Sequence, residues 1–208
     1  HPYTPRMTEY DMTSVGRVSS DSQQIARGLR ERDIALLHAL VEQYQYRLVR
    51  YLIYLLGRRD EVDDLVQETW VRVLERGRSY DGRSRFEPWL FAIARNLTID
   101  HMRRRKTWSL DTALDTDDEE EQVPRSPASL DPSPFVLAAR TEDAQRLAQS
   151  MQTLDFIYRE VLVLRFQEDL SLQEVATVIG APVSTVASRI YRGLQTLRSL
   201  LDGAKHEN

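Results

Sequence analysis

The side chains best placed to do chemistry stand near the C-terminal end. On a helical period, Thr185, Ser188, Arg189, Tyr191, Arg192 and Gln195 fall on one side, and Val183, Val186, Ile190, Leu194, Leu197 and Leu201 on the other. The first set is small, polar and basic at the start of the helix, the part of a recognition helix that enters the major groove and meets base edges. The chemistry is hydrogen bonding and charge pairing with nucleic acid, with Arg189 and Arg192 suited to guanine or phosphate. A helical hairpin whose charged face simply stays wet is the plain alternative. Covalent chemistry lacks an equivalent constellation. The chain has no cysteine, its histidines (His1, His38, His101, His206) are scattered, and no paired carboxylates converge, so no catalytic residue, metal site or cofactor is expected.

A second set of candidate residues lies upstream. From Arg72 to Lys106 ten basic residues face four acidic ones, interleaved with Tyr80, Phe86, Trp89 and Phe91. Aromatic faces beside positive charge suit single-stranded nucleic acid, because an unstacked base needs a π surface and its backbone needs counter-charge. Trp89 and Phe91 cannot both face one core across a single turn, so at least one ring is free for another task. The polar loop from Ser79 to Arg85, carrying Asp81, Arg83 and Arg85, is a candidate pocket for a flipped base. Packing of the aromatics into a small three-helix core is the competing reading. The next stretch, Thr107 to Pro134, reverses the charge, with eight acidic residues against Arg125 alone, an asymmetry that the net charge of −4 hides.

The elements that must position these residues are all helical. Ile34, Leu37, Val41, Tyr44, Leu48, Leu52 and Leu55 step by three or four, and Gly57 supplies a stop. Val62, Leu65, Val66, Thr69 and Val73 share the face of a second helix ending near Gly77, and a third runs from Phe86 to about Lys106 with Trp89, Leu90, Ile93, Leu97 and Met102 inward. Helical signals resume with Thr141 as an N-cap and Ala144, Leu147, Ala148, Met151 and Leu154 inward; Asp155 is placed to cap the next helix, which breaks at Gln167 to Leu170. Ser171 and Glu174 have capping-box spacing ahead of Leu172, Val175, Ala176 and Ile179, and Gly180-Ala181-Pro182 supplies a turn of helix-turn-helix length.

The expected fold is all-α, with two small helical domains, an N-terminal helical bundle and a C-terminal helix-turn-helix domain, joined by a flexible acidic linker. The boundaries are a disordered tail over 1–20, a bundle over 21–106, a linker over 107–140, a DNA-reading domain over 141–203 and a C-terminal tail over 204–208. The chain opens on His1, and Met7 is a candidate native start, residues 1–6 then being extraneous. With neither an eighteen-residue apolar run nor a signal peptide, no membrane insertion is expected and the location is read as cytoplasmic.

These residues resemble a known family. Asp63-Asp64-Leu65-Val66-Gln67-Glu68-Thr69-Trp70 resembles the second conserved region of the extracytoplasmic-function (group 4) sigma factors of the sigma-70 family. Phe86-Glu87-Pro88-Trp89-Leu90-Phe91-Ala92-Ile93-Ala94-Arg95-Asn96, with Asp100 and Arg103-Arg104-Arg105, resembles their promoter-melting segment. The stretches from Tyr158 to Phe166 and from Pro182 to Arg189 resemble their −35-reading domain. The resemblance implies a promoter-specificity subunit of bacterial RNA polymerase that is not an enzyme. Asp64, Gln67 and Glu68 would dock on the β′ clamp coiled coil, and the C-terminal domain would meet the β flap. Tyr80, Asp81, Arg83, Arg85, Phe86 and Asn96 would surround a flipped base of the −10 strand, with Arg103, Arg104 and Arg105 on nearby phosphates. Thr185, Ser188, Arg189, Tyr191 and Arg192 would meet the −35 element. Promoter DNA, core polymerase and an anti-sigma factor are the implied partners, and the acidic run Asp117 to Glu121 would stand in for phosphates in the polymerase channel. Ala187 and Ser184 depart from the family, where a basic residue and a glycine are frequent, and would shift −35 preference; Asp155 replaces a frequent proline. A stand-alone helix-turn-helix regulator is the rival reading, needing neither Asp64, Gln67 and Glu68 nor the linker.

Overall fold

The computed structural model describes residues 22–57, 61–110 and 142–203, and every regular element among them is helical. Helix α1 (Ser22–Glu31) leads into α2 (Ile34–Leu56), whose first turn is capped by the Asp33 carboxylate accepting from the backbone N–H of Ala35 and Leu36 at 2.9 and 3.2 Å. Gly57 closes α2 as expected, its N–H donating to the Ile53 carbonyl at 2.8 Å. Helix α3 (Val62–Arg76) buries the five expected residues, and the hydroxyl of buried Thr69 is satisfied by the Leu65 carbonyl at 2.6 Å. A 3₁₀ turn (Gly77–Ser79) and a loop then reach α4 (Phe86–Leu110), which runs four residues past its expected end at Lys106. The loop is pinned at Gly82, where φ is +71° and an added Cβ would sit 2.6 Å from the Ser22 carbonyl, so a side chain is excluded twice over.

The C-terminal unit consists of α5 (Glu142–Thr153), α6 (Phe156–Leu162), a π turn (Val163–Gln167), α7 (Leu172–Ile179) and α8 (Val183–Gly203). The capping box is present: the Ser171 hydroxyl accepts from the Glu174 N–H at 3.2 Å, and the Glu174 carboxylate accepts from the Ser171 N–H at 2.8 Å. Asp155 precedes α6 but caps it through its main-chain carbonyl rather than its side chain. Gly180 adopts φ +66° and makes the helix-turn-helix turn. The expected tails, the Thr141 cap and the acidic linker from 111 onward lie outside the described residues.

Two apolar clusters hold the molecule. One is internal to the N-terminal bundle and packs α1, α2 and α4 around Leu40, Tyr44, Tyr80, Phe86 and Leu90. The other is shared between the two units: Tyr51, Leu52, Leu55, Phe91 and Ala94 join Val161, Leu164, Leu170, Val175 and Val178. Phe91 answers the question its spacing raised. Trp89 leans on the first cluster while Phe91 is fully buried in the second, 5.0 Å from the Tyr51 ring. Its separate task is to receive the C-terminal unit.

Five residues of the expected inward stripes are exposed, the small Ala144 among them. Ile34 (82% exposed) sits in the first turn of α2, ahead of the point where the bundle closes. Leu147, Val183 and Leu194 are also substantially exposed. On α8 the reason is Gly193, whose missing side chain lets Tyr158 and Leu162 approach to 3.2 and 3.3 Å of where a Cβ would be. The packed line on α8 therefore passes through Val186, Ile190, Gly193, Leu197 and Leu200 and leaves Leu194 to one side.

Because Phe91 fills the shared core, Phe91→Ala should lower unfolding free energy by about 3–5 kcal/mol in urea titrations. A loss under about 1 kcal/mol would mean the ring is not packed there.

Candidate nucleic-acid interface

The N-terminal end of α8 offers the most complete recognition surface. Ser184, Thr185, Ser188, Arg189 and Arg192 line a cleft of about 310 Å³ together with Tyr158 of α6. Their position near a helix start adds the positive end of the dipole, favourable to phosphate. Tyr191 is exposed, its hydroxyl accepting from Gln195 Nε2 at 2.9 Å. All five residues expected at the −35 element thus lie in one patch on the first half of α8, none of them in the core.

The N-terminal set divides. Asp81 and Arg83 are exposed at the loop tip, where the Asp81 carboxylate accepts from the Arg83 N–H at 2.9 Å. Asn96, Arg103, Arg104 and Arg105 are exposed along α4. Tyr80 and Phe86, at 2% and 1% exposure, are not at the surface as expected. They form an aromatic cluster with Tyr44 and Trp89 at centroid separations of 5.3 to 5.7 Å, and the Tyr80 hydroxyl donates to the Ser84 carbonyl at 2.5 Å. They floor the loop instead of walling a pocket, because the loop is too short to hold two large rings in water when a core lies beneath it. At the far end of α4, Glu61 bridges the His101 ring, at 2.9 Å, and the Arg105 guanidinium.

On α3, Asp64 and Gln67 are exposed and Glu68 is half-exposed, paired with Arg72 at 2.8 Å. The structure adds two residues that the sequence reading passed over. Val71 and Leu74, 45% and 46% exposed, continue the line of Asp64 and Gln67 at three- and four-residue steps. Two apolar side chains bordered by carboxylates suit a protein partner better than water. The signal was available: both fall off the Val62, Leu65, Val66, Thr69, Val73 face.

Further basic residues are engaged between the two units. Glu168, with no side-chain exposure, accepts from Arg47 Nε at 2.8 Å and Arg50 Nη2 at 2.9 Å. Glu160, equally buried, accepts from Arg95 Nε at 2.6 Å. Arg85 reaches Glu87 at 3.2 Å and Glu174 at 3.4 Å. Burial pushes the Glu160 carboxyl above the ordinary glutamate range, with Arg95 and then Arg189 partly opposing. For Glu87 burial acts in the same direction but is outweighed by a backbone hydrogen bond, Arg85 and Arg47, which hold its carboxyl low. Burial also brings the Arg159 guanidinium down to about 10, Asp155 opposing; Arg159 donates to the carbonyls of Gln152 at 2.8 Å and Leu55 at 3.1 Å.

Comparison with known proteins yields the same two units. The pattern described as Sigma-70 region 2 matches residues 40–107, and that described as Sigma-70, region 4 matches residues 144–197. The ECF RNA polymerase sigma factor SigX of Bacillus subtilis (strain 168) is 30% identical over 81% of this chain and 84% of its own length. SigW of the same organism is 32% identical over 78% and 87%. Among solved structures, the sigma factor RpoE in complex with the anti-sigma factor NepR from Bartonella quintana superposes with a TM-score of 0.62 at 23% identity, over 78% of this chain and 94% of that one, a likeness of fold.

The raised Glu160 carboxyl fixes the sign of a pH effect. A group that holds its proton more tightly when folded contributes stability below the ordinary glutamate range and loses it as pH rises through the raised value. Wild-type stability relative to Glu160→Gln should therefore fall as pH rises above the ordinary glutamate range in urea titrations, and parallel profiles would contradict the assignment.

Proposed function

The chain belongs to the extracytoplasmic-function (ECF) sigma factors of the sigma-70 family, and from that premise we propose that it gives core RNA polymerase its promoter choice by reading a −35 element with α8 and a −10 element with the α4 region. The α3 line of Asp64, Gln67, Val71 and Leu74, with Glu68 beside it, docks on the β′ clamp coiled coil, and the C-terminal unit meets the β flap. Asp81, Arg83 and Arg85 receive a flipped −10 base over the floor of Tyr80 and Phe86, while Asn96, Arg103, Arg104 and Arg105 follow the backbone of the opened strand. Thr185, Ser188, Arg189, Tyr191 and Arg192 read the −35 duplex.

The mechanism uses binding energy alone. Unstacking a base costs a few kcal/mol and its capture returns about 1–3, so holding one or two bases traps an opening that the polymerase drives. Residues 111–140, past the end of α4, have a contour length of roughly 100 Å, enough for the two readers to straddle two turns of duplex. The setting is the cytoplasm, where polymerase and promoter meet. The Bartonella quintana relative is held by an anti-sigma factor, and an anti-sigma factor is the expected regulator here too.

The observation that carries this reading is the exposed α3 line, which a stand-alone regulator has no use for. In transcription reactions with core polymerase and a pool of genomic promoters, wild type should produce start sites that core enzyme alone does not, and Glu68→Lys should abolish them without weakening DNA binding through α8. Start sites identical with and without the protein would remove the proposal.

A further inference from the structure

We propose that α1 sets the shape of the −10 loop, with Gln23 as a positioning residue: its side-chain amide, bonded to the Gly82 carbonyl, fixes the direction in which Asp81 and Arg83 face the captured base. The proposal deepens the −10 reading given above and rests on it. Helix α1 lies ahead of the stretch, 40–107, that matches Sigma-70 region 2, so its part in recognition is argued from its contacts alone.

The loop is fastened to α1 at two points. A Cβ on Gly77 would lie 3.1 Å from Leu29 Cβ and 3.3 Å from the Leu29 carbonyl oxygen, and one on Gly82 would lie 2.6 Å from the Ser22 carbonyl oxygen and 2.9 Å from Ala26 Cβ. Ser22 and Leu29 are seven residues apart, about 10 Å along a helix axis. The chain from Gly77 to Gly82 is thus laid along two turns of α1, at an approach that leaves no room for side chains. Ile25, Ala26 and Leu29, on the same side of α1, are buried in the cluster that contains Tyr80 and Phe86, so the floor of the loop and its support are one core.

Within that seat the loop alternates between inward and outward residues. Tyr80, Gly82 and Phe86 are buried, whereas Asp81, Arg83, Ser84 and Arg85 are exposed. Gly82 therefore stands between the two side chains of the loop tip, and any rotation of its peptide re-aims both. Its carbonyl accepts from Gln23 Nε2 at 3.2 Å, a contact across 59 positions of sequence. The bond supplies a partner that a loop, having no regular ladder, must find elsewhere. Asp81 in turn accepts from the Arg83 N–H at 2.9 Å, with the Arg83 guanidinium 3.6 Å from the same carboxylate, so the tip moves as a unit about Gly82. Ser22 hydrogen-bonds the Tyr80 side chain as well, partly opposing the rise that burial imposes on its hydroxyl.

Base choice depends on this seat more than affinity does. A captured base is told apart by the directions of the donors and acceptors that meet its edge. Contacts to phosphate, here assigned to Arg103, Arg104 and Arg105, hold the strand without reading it. Loosening Gly82 should therefore blur which base is accepted while the strand is still held.

The test uses the full chain, core polymerase and a promoter found with wild type, its −10 positions randomised one at a time. Gln23→Ala removes the donor to Gly82, and Gln23→Lys keeps one. With Gln23→Ala the ratio of transcripts from the preferred base to the other bases should fall about fivefold at the captured position, the loss expected for one hydrogen bond. Preference at the remaining −10 positions and at −35 should stay as in wild type, and Gln23→Lys should restore the ratio. Amide hydrogen exchange over residues 80–86 of the free protein should quicken by a similar factor in Gln23→Ala at an unchanged urea midpoint. A wild-type base ratio in Gln23→Ala, transcripts lowered alike from every promoter, or an unchanged loop exchange would each overturn the proposal. If wild type itself shows no base preference at −10, the proposed function fails instead, and the exchange measurement still decides whether α1 holds the loop.

Discussion

A carboxylate can leave water only if cations take over the work of the solvent, and the arrangement of this molecule follows from how that requirement is met. Glu168 and Glu160 are both sealed from solvent, and each finds its arginines across the contact between the two units, Arg47 and Arg50 in one case and Arg95 in the other. Removing one partner from such a pair costs about 3–5 kcal/mol, whereas the complete pair contributes little against water. The pairs therefore specify which surfaces meet without making the meeting permanent. Apolar burial by Phe91, Tyr51, Val175 and Val178 supplies the attraction, and the ion pairs fix the register.

The same requirement ties regulation to recognition. Arg85, in the loop proposed to receive the −10 base, is engaged by Glu174, which also caps α7 at the start of the helix-turn-helix. Arg189, on the face of α8 proposed to read the −35 element, contributes to the field on buried Glu160. Residues proposed to meet DNA phosphate thus border carboxylates of the contact between the two units. This economy is open to a protein whose ligand is an anion, since its own glutamates can neutralise the cations that the ligand will later use.

Much of this was legible in the sequence, and the limits have physical causes. The buried face of α3 followed from period alone because that helix meets its neighbours along one line. The capping box Ser171–Glu174 and the stop at Gly57 were readable because their chemistry is local. The extent of burial was less accessible. Ile34 and Leu194 have the right phase and are exposed, since phase fixes direction and only tertiary contact decides whether anything lies there. The wrong-facing ring at Phe91 was a true signal whose answer was a second domain. Arg47 and Arg50, inside an apolar run on α2, gave no sign of their partners, because Glu168 is 121 residues from Arg47 and its approach depends on a π turn with no sequence signature. Val71 and Leu74 were visible as apolar residues off the buried face, had that face been read for what it excludes.

The chain has no cysteine, so one label can be placed in each unit without background. The distance between labels at Arg78 and Arg198, both exposed, measured by pulsed electron paramagnetic resonance, tests most directly whether a closed pair of units is opened by the polymerase. A single short distance in the free protein that lengthens once core polymerase and promoter DNA are added is the result expected. An unchanged distance in the promoter complex, or a broad long distribution before any partner is present, would contradict it.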